Sequence, residues 1–247
     1  MDPDLSATLQ PYAYAGDNPT DNDDPFGEFE CAPLSQCEAY VDSNYDNSLN
    51  NGFNIYEYFA ANPVAGVALT ANEVAGIVGA SVEEANGSPS CVGNDITCIK
   101  ASNYNPDYKD DVASGFAFGI AAWTSQESNG DSSYGGLVAL LTYAHNHPDS
   151  DTRSACSTAP TDAASATDYN CWAAVETDGQ VQMKFLAYEL ANIWHSHFVD
   201  FENDSSTPAD AGYAFDYYVI AYEYPITSTV ATSAEDLATV FATIRYA

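Results

Sequence analysis

Residues 73–89 read EVAGIVGASVEEANGSP, an apolar stretch with two glycines in its first half and two adjacent carboxylates near its end. Thr70 stands three residues before Glu73, which gives the T-x-x-E capping box that begins many helices. At the other end, the run Asn-Gly-Ser-Pro at 86–89 stops the helix, because Gly and Pro interrupt helical structure. The sequence therefore predicts a helix that starts after Thr70 and ends near Ala85.

The two carboxylates at the end of this helix have different predicted environments. On a helical wheel of about 100° per residue, the apolar face consists of Val74, Ile77, Val78, Val82 and Ala85. Glu83 lies opposite the centre of that face and is expected in water, whereas Glu84 lies at its edge. Because partial burial disfavours the charged form, we expect the pKa of Glu84 to rise, as a general acid in glycoside hydrolysis requires. An ordinary surface glutamate near a helix end is the alternative.

The charge of the chain is its most extreme property. Thirty-six Asp and Glu residues oppose five Lys and Arg residues, so the 247-residue chain has a formal net charge of −31. Nucleic acids and anionic membrane surfaces are therefore disfavoured as partners, because no basic patch is available to bind phosphates. High net charge keeps proteins soluble in strong salt, where repulsion is screened over about 3 Å at 1 M, so we expect a salt-adapted source. A disordered acidic chain is the alternative, and the 13% aromatic content argues against it.

The cysteines bear on where the protein works. Six cysteines fall in three local pairs, 31–37, 91–98 and 156–171, and we expect a disulfide within each pair. Disulfides imply a secreted, extracellular protein, with free buried thiols as the alternative. The N-terminus lacks the basic and apolar regions of a signal peptide, and no apolar run reaches the roughly 18 residues of a transmembrane helix.

The chain divides into three parts. Residues 1–27 are rich in turn-forming residues, residues 28–51 are predicted to be an irregular connector, and residues 52–247 are predicted to form one domain. Apolar periodicity predicts helices in that domain, beginning with a short helix that breaks at Asn62-Pro63. The other predicted helical segments are 135–147, 181–198, 209–225 and 234–246. The predicted fold class is therefore mainly α: a single globular helical domain with an irregular N-terminal extension.

The end of the first part carries a specific motif. Residues 12–27 read YAYAGDNPTDNDDPFG, and their Y-x-Y, N-P and D-P-x-G elements resemble the end of an Rhs (YD-repeat) core. The matching residues are Tyr12, Tyr14, Asn18, Pro19, Asp24, Pro25 and Gly27. In that family the segment closes a large β-cocoon and a variable toxin follows it, so the resemblance implies the tail of a larger secreted polypeptide. Family members are often cut just after the motif, commonly before an apolar residue, whereas Glu28 stands there in this chain.

Four further segments, in the same order, resemble the phage tail lysozymes, a branch of the lysozyme-like hydrolases. They are AGIVGASVEEANGSP (75–89), GFAFGIAAWT (115–124), GQVQMKFLAYEL (179–190) and AFDYYVIAYEYP (214–225). The resemblance implies that residues 52–247 form a mainly helical lysozyme-like domain, with an α+β form of that fold as the alternative. The family's catalytic Glu falls on Glu84, five residues after Gly79. Glu189 and Glu223 also match family positions, and we interpret them as structural because they lie inside predicted helices.

Departures from the family pattern concern the predicted cleft. The usual Asn after the glycine is Ala80, the usual Gln before the Trp is Ala122, and the Arg that commonly follows the Trp is absent. Loss of the Asn and Gln removes polar groups that bind sugar or orient water. Two consequences remain open: a relaxed substrate specificity or a weakened enzyme. Trp123 either stacks on a sugar ring or packs in the core. The predicted substrate-binding residues are Trp123, Thr124, Phe118, Asn86 and Tyr104.

The second carboxylate of the reaction stays unassigned at this point. Retaining and inverting mechanisms differ in the separation of two carboxylates, which a sequence does not give. The candidates in the nearby loops are Asp107, Asp110, Asp111, Glu127 and Asp131. Two pairs of histidines, His145 with His147 and His195 with His197, are spaced i, i+2, so on a helix they do not face one metal site. We therefore expect no metal and no other cofactor.

These observations together predict a secreted peptidoglycan hydrolase that acts as the C-terminal toxin of an Rhs-like protein, with Glu84 as general acid. Its expected partners are bacterial peptidoglycan and the Rhs-type core of a larger polypeptide, without nucleic acid or membrane, and the expected oligomeric state is a monomer. The alternative is a non-catalytic, glycan-binding or adhesive tip domain that uses the same cleft. A peptidase would need a Cys–His or zinc constellation, which the sequence lacks.

Overall fold

The computed structural model describes residues 37–39, 41, 48–85, 87, 117–121, 123–124, 136–147, 152, 156, 171, 174–175, 178–220 and 228–246. This part of the chain is mainly helical, which confirms the predicted fold class. The helices are α1 (Ser48–Ala61), α2 (Ala71–Ala85), α3 (Gly136–Asn146), α4 (Gly179–Asn192), α5 (His195–Asp204), α6 (Pro208–Phe215) and α7 (Ser228–Tyr246). A π-helical turn, Asp216–Ile220, continues α6, and a short hairpin consists of β1 (Ala117–Phe118) and β2 (Trp123–Thr124). No helix in these ranges is both long and apolar enough to cross a bilayer.

Helix α2 lies at the centre of the fold. Every residue from 73 to 82 is buried, and α1, α6 and α7 pack around the helix. Burial therefore extends beyond the predicted apolar face, because a helix that is apolar nearly all round is covered on every side. Glu83, expected in water, is half-buried.

Small residues let the backbones of α2, α6 and α7 approach closely. A Cβ atom on Gly76 would lie 2.5 Å from the carbonyl oxygen of Ala211 in α6. A Cβ atom on Gly79 would lie 2.6 Å from the carbonyl oxygen of Ala234 in α7, and one on Gly212 would lie 2.5 Å from the same oxygen. Any side chain at these three positions would have to move a neighbouring backbone, so the glycines set the spacing of the three helices.

The two ends of α2 are fixed by local hydrogen bonds. The backbone N–H of Thr70 donates to Glu73 Oε2 at 2.6 Å, and the backbone N–H of Glu73 donates to Thr70 Oγ1 at 3.3 Å, which confirms the capping box. At the other end, the backbone N–H of Gly87 donates to the carbonyl of Ser81 at 2.9 Å. Gly87 has a φ of 60°, a left-handed conformation that glycine adopts readily. The predicted boundaries of this helix are confirmed.

The segment predicted to be an irregular connector, 28–51, is partly helical and contributes to the core. Helix α1 begins at Ser48, inside that segment, and residues 37–39 are also helical. Cys37 and Val41 are fully buried in the hydrophobic core. Sequence patterns do not predict this, because so short an apolar set, without helical periodicity, acquires its place only through tertiary packing.

The chain turns sharply between α1 and α2. Val64 and Val67 exchange backbone hydrogen bonds of 2.9 and 2.8 Å. Between them, Ala65 and Gly66 have φ values of 51° and 82°, so both central residues have the positive φ of a type I′ turn. The predicted helix break at Asn62-Pro63 is confirmed, because α1 ends at Ala61.

The predicted single helix 181–198 is wrong, because the chain breaks between α4 and α5 at Ile193 and Trp194. The backbone N–H groups of both residues donate to the carbonyl of Glu189, each at 2.8 Å. The side-chain amide of Asn192 donates to the carbonyl of Tyr188 at 2.8 Å. Asparagine side chains compete with the backbone N–H groups for helical carbonyls in this way. The periodicity of the apolar residues contains no information on this hydrogen bond.

The later helices also differ from their predicted bounds. Helix α6 begins with a capping box of its own: the backbone N–H of Asp210 donates to Thr207 Oγ1 at 3.0 Å, and the N–H of Thr207 donates to Asp210 Oδ2 at 3.1 Å. The predicted helix 209–225 is α-helical only to Phe215 and then widens into the π-helical turn, while residues 221–227 lie outside the described residues. Helix α7 begins at Ser228 rather than at 234.

The disulfide between Cys156 and Cys171, with Cα atoms 4.2 Å apart, confirms the predicted pairing of these two cysteines. Cys37 is disulfide-bonded as well, and its partner lies outside the described residues. The predicted pair 91–98 also lies outside them.

Candidate functional site

The hairpin of β1 and β2 is held against helix α4 by a buried glutamine. Phe118 pairs with Trp123 and Ala117 with Thr124 in the antiparallel hairpin. Gln182 of α4 is fully buried, accepts a hydrogen bond at Oε1 from the backbone N–H of Ile120 at 3.1 Å, and donates from Nε2 to the carbonyl of Val175 at 3.0 Å. Because both polar ends of Gln182 are satisfied, its burial is compensated and fixes the hairpin turn.

Gly119, the first residue of that turn, must be a glycine for two reasons. Its φ is 73°, in the left-handed region. A Cβ atom would also lie 2.5 Å from Oε1 of Gln182 and 3.0 Å from the ring of Trp123. The turn therefore combines a left-handed backbone conformation with a close approach.

Trp123 on β2 and Glu189 on α4 form a buried pair. The indole Nε1–H donates to Glu189 Oε2 at 2.6 Å, and the side chains are 2% and 0% exposed. Phe185 lies beside them, with its ring centroid 5.4 Å from that of Trp123. Gln182, Phe185 and Glu189 follow the i, i+3, i+7 spacing of one helix face, so a single face of α4 receives the whole hairpin.

Burial raises the pKa of Glu189 well above its usual value of 4.5, because the charged form is poorly solvated in the core. The hydrogen bond from Trp123 and the nearby backbone N–H of Gly136 oppose part of this rise. Within the described residues, however, Oε1 accepts no hydrogen bond of good geometry. The N–H of Gly136 therefore lowers the pKa by its proximity and leaves Oε1 without a hydrogen bond. Glu189 therefore keeps its proton to a higher pH than an exposed glutamate does.

The structure places the backbone of the predicted catalytic residue but not its side chain. Glu84 lies on the last turn of α2, and its side chain is outside the described residues. Phe118 and Thr124 are paired strand residues whose side chains are likewise outside them. Asn86 and Tyr104 are outside the described residues altogether. The same holds for Glu223 and the candidate second carboxylates Asp107, Asp110, Asp111, Glu127 and Asp131.

The sequence left two roles open for Trp123, stacking on a sugar ring or packing in the core, and in the structure Trp123 packs in the core. Its ring and hydrogen-bond contacts are to Phe185 and Glu189 of α4, and its side chain is almost fully enclosed. Stacking on a sugar would require the hairpin to lift from α4. Ala80 is also fully buried, so a polar side chain there would need a hydrogen-bond partner inside the core rather than in a cleft.

Glu189 has the structural role predicted for it, and its partner could not be named from the sequence. The Q-x-x-F-x-x-x-E spacing of residues 182–189 is the signal that one helix face carries a buried amide and a buried carboxyl together. Nothing in the sequence tells which aromatic N–H meets the carboxyl, because Trp123 is 66 positions away.

The histidines have separate partners. His145 donates from Nδ1 to the carbonyl of Cys156 at 2.6 Å, which requires the proton to be on Nδ1. The ring of His147 stacks on that of Tyr143, with centroids 3.7 Å apart. His195 lies near Glu202 and lowers the pKa of that carboxyl, against a larger rise from burial. In the described part of the chain, no group of three or more His, Cys, Asp or Glu side chains is arranged to hold a metal ion.

Comparison with known proteins gives no relative: no protein-family model, no curated protein and no solved structure matches the chain. Function therefore has to be argued from the residues of this chain.

Proposed function

We propose that the protein is a glycoside hydrolase that cuts the glycan strands of peptidoglycan, with Glu84 as general acid. The observation that carries this proposal is the position of Glu84 on the last turn of α2, the helix that is buried on all sides from 73 to 82. A general acid must stay within hydrogen-bond reach of the leaving oxygen, and a site on a rigid element holds that geometry best.

Three features make α2 rigid. Its first turn is closed by the Thr70–Glu73 capping box, its C-terminal end by the Gly87 hydrogen bond, and its middle by the backbone contacts of Gly76 and Gly79 with α6 and α7. The Cα atom of Glu84 is thus fixed relative to the core. The resemblance of residues 75–89 to the catalytic segment of phage tail lysozymes supports the same assignment.

In the proposed reaction, Glu84 donates its proton to the glycosidic oxygen as the bond between that oxygen and the anomeric carbon breaks. Water supplies the hydroxyl group that bonds to the anomeric carbon. The remaining proton of the water returns the two carboxyl groups to their starting protonation state. A second carboxylate activates the water directly or first forms a glycosyl intermediate, according to its distance from Glu84. No cofactor takes part.

We further propose that the enzyme acts outside the producing cell, as the C-terminal toxin of an Rhs-like polypeptide. The Rhs-like motif at residues 12–27 supports delivery in this form. The disulfide Cys156–Cys171 supports an oxidising destination, because disulfides persist mainly in secreted proteins.

The test is a mass spectrum of soluble fragments released from purified peptidoglycan in about 1 M salt, where the repulsion of a −31 chain is screened. The wild-type protein should release glycan fragments with new reducing ends, and Glu84→Gln should lose at least about a hundredfold in rate. Glu83→Gln is the matched control, one residue away, and should retain activity. Equal fragment release by Glu84→Gln and Glu83→Gln would reject Glu84 as the acid. A wild-type protein that binds peptidoglycan without releasing fragments would favour the non-catalytic glycan-binding alternative.

A further inference from the structure

Three rings form an exposed aromatic surface where α3 and α4 pack together. The ring of Tyr143 stacks on that of His147, with centroids 3.7 Å apart, and lies 5.3 Å from the ring of Tyr188. The rings of His147 and Tyr188 are 6.2 Å apart. Tyr188 is 41% exposed and His147 is exposed, whereas Tyr143 is half-buried. We call Tyr143, His147 and Tyr188 the aromatic platform.

The aromatic platform rests on the core and is therefore held in place. The buried ring of Phe185 lies beneath it, 5.5 Å from Tyr143 and 6.5 Å from Tyr188. Tyr143 and Tyr188 each carry a hydroxyl group, so rings and hydrogen-bonding groups belong to the same platform.

An ammonium group lies beside the aromatic platform. Lys184 is one helical turn before Tyr188 on α4, and residues four apart share a helix face. Because side chains on a helix lean towards its N-terminus, we expect the ring of Tyr188 to lie over the turn that contains Lys184. Among the described residues, the Lys184 ammonium has no hydrogen-bond or ion-pair partner, although the chain has 36 acidic residues and only five Lys and Arg. An ammonium without a partner among the described residues is the group that an anionic ligand would contact.

We propose that the aromatic platform and Lys184 form a binding site for a sugar that carries a carboxylate. The C–H face of a sugar ring packs on aromatic rings, the tyrosine hydroxyls bind its hydroxyl groups, and the ammonium binds its carboxylate. A polyphosphate such as a nucleic acid does not fit, because one ammonium cannot offset its repulsion by a −31 chain. The proposal uses none of the residues assigned to the proposed hydrolysis and does not depend on it.

The test is calorimetric titration, in about 1 M KCl, with methyl glucuronide, which carries a single carboxylate, as the acidic probe and methyl glucoside as the neutral one. The wild-type protein should bind the acidic probe more tightly than the neutral probe. Tyr188→Ala should weaken binding of both by at least about tenfold, which corresponds to about 1.4 kcal/mol. Lys184→Gln should weaken binding of the acidic probe alone and remove the preference. Tyr213→Ala, at a tyrosine of α6 that is 42% exposed, is the matched control and should change nothing.

Several results would overturn the proposal: no binding of either probe by the wild-type protein, unchanged binding by Tyr188→Ala, or a preserved preference in Lys184→Gln. Thermal unfolding of each variant shows whether it folds, and Tyr143→Phe, which keeps the ring, replaces Tyr188→Ala if that variant does not. In Tyr143→Phe the loss of one hydroxyl should weaken binding of both probes. Glu84→Gln should bind like the wild type, so a failure of the proposed hydrolysis and a failure of this binding site are distinguished.

Discussion

The stability of the protein should depend on pH through one carboxyl group, Glu189. Its pKa in the folded protein is raised above the usual 4.5 by burial, so the folded state binds this proton more tightly than the unfolded state does. The stabilising contribution of the proton is complete below about pH 4.5. It declines as the pH rises from there to the raised folded-state pKa, because the unfolded chain releases the proton first.

The size of this pH dependence follows from the titration of a single proton. Between the two pKa values, the free energy of unfolding should fall by about 1.4 kcal/mol for each unit of pH. Many other carboxylates also titrate, so the comparison must be with Glu189→Gln, in which all of them remain. The glutamine can still accept the hydrogen bond from Trp123 Nε1 at the position of Oε2. We expect the two proteins to differ by less than about 1 kcal/mol at pH 4 and the variant to become increasingly the more stable above it.

The assay is urea unfolding of both proteins from pH 4 to pH 8 at constant salt, followed by tryptophan fluorescence. Urea is preferred to guanidinium chloride because the latter would change the screening of a −31 chain. A difference in unfolding free energy between wild type and Glu189→Gln that stays constant over this range would refute the reasoning. So would a wild type that becomes the more stable protein at high pH.

Two further perturbations test the hairpin and the disulfide. Gly119→Ala should lower the free energy of unfolding by about 2–4 kcal/mol, since it combines a positive φ with a Cβ atom 2.5 Å from Gln182, and thermal unfolding measures the loss. Gly66→Ala is its control, because φ is 82° there but no atom lies within 4 Å of the added Cβ, so the loss of stability should be smaller. Equal losses in the two variants would show that the contact with Gln182 does not contribute. Removal of the Cys156–Cys171 disulfide, whose cysteines are 15 positions apart, in the double variant Cys156→Ala/Cys171→Ala should lower the free energy of unfolding by about 3 kcal/mol, measured by urea unfolding against the wild type; an unchanged midpoint would contradict this.

The parts of the fold that the sequence predicted are those fixed by short-range chemistry. The ends of α2 follow from the Thr70–Glu73 capping box and from Gly87, all of which act within a turn of the helix. The central position of α2 does not follow, because it depends on helices α6 and α7, more than a hundred residues later in the chain. The break between α4 and α5 was missed because it results from a side-chain hydrogen bond that interrupts an otherwise regular apolar pattern.

The candidate site shows the same limit. Trp123 was identified from the sequence, yet its two possible roles differ only in what the ring touches. The residue that decides between them, Glu189, is 66 positions away. The aromatic platform was missed for the same reason, since Tyr143 and Tyr188 belong to different helices and become neighbours only when these pack.

The close contact of α2, α6 and α7 has a consequence for how the protein can vary. The atoms nearest to Gly76, Gly79 and Gly212 are backbone atoms, so a change of a neighbouring side chain alone cannot make room for a larger residue. A saturation-mutagenesis map of the chain should therefore show a small intolerant kernel at these glycines. The acidic surface around it, where single substitutions change stability little, is free to diverge. Related chains that diverge from this one would then keep these three glycines while most other positions change.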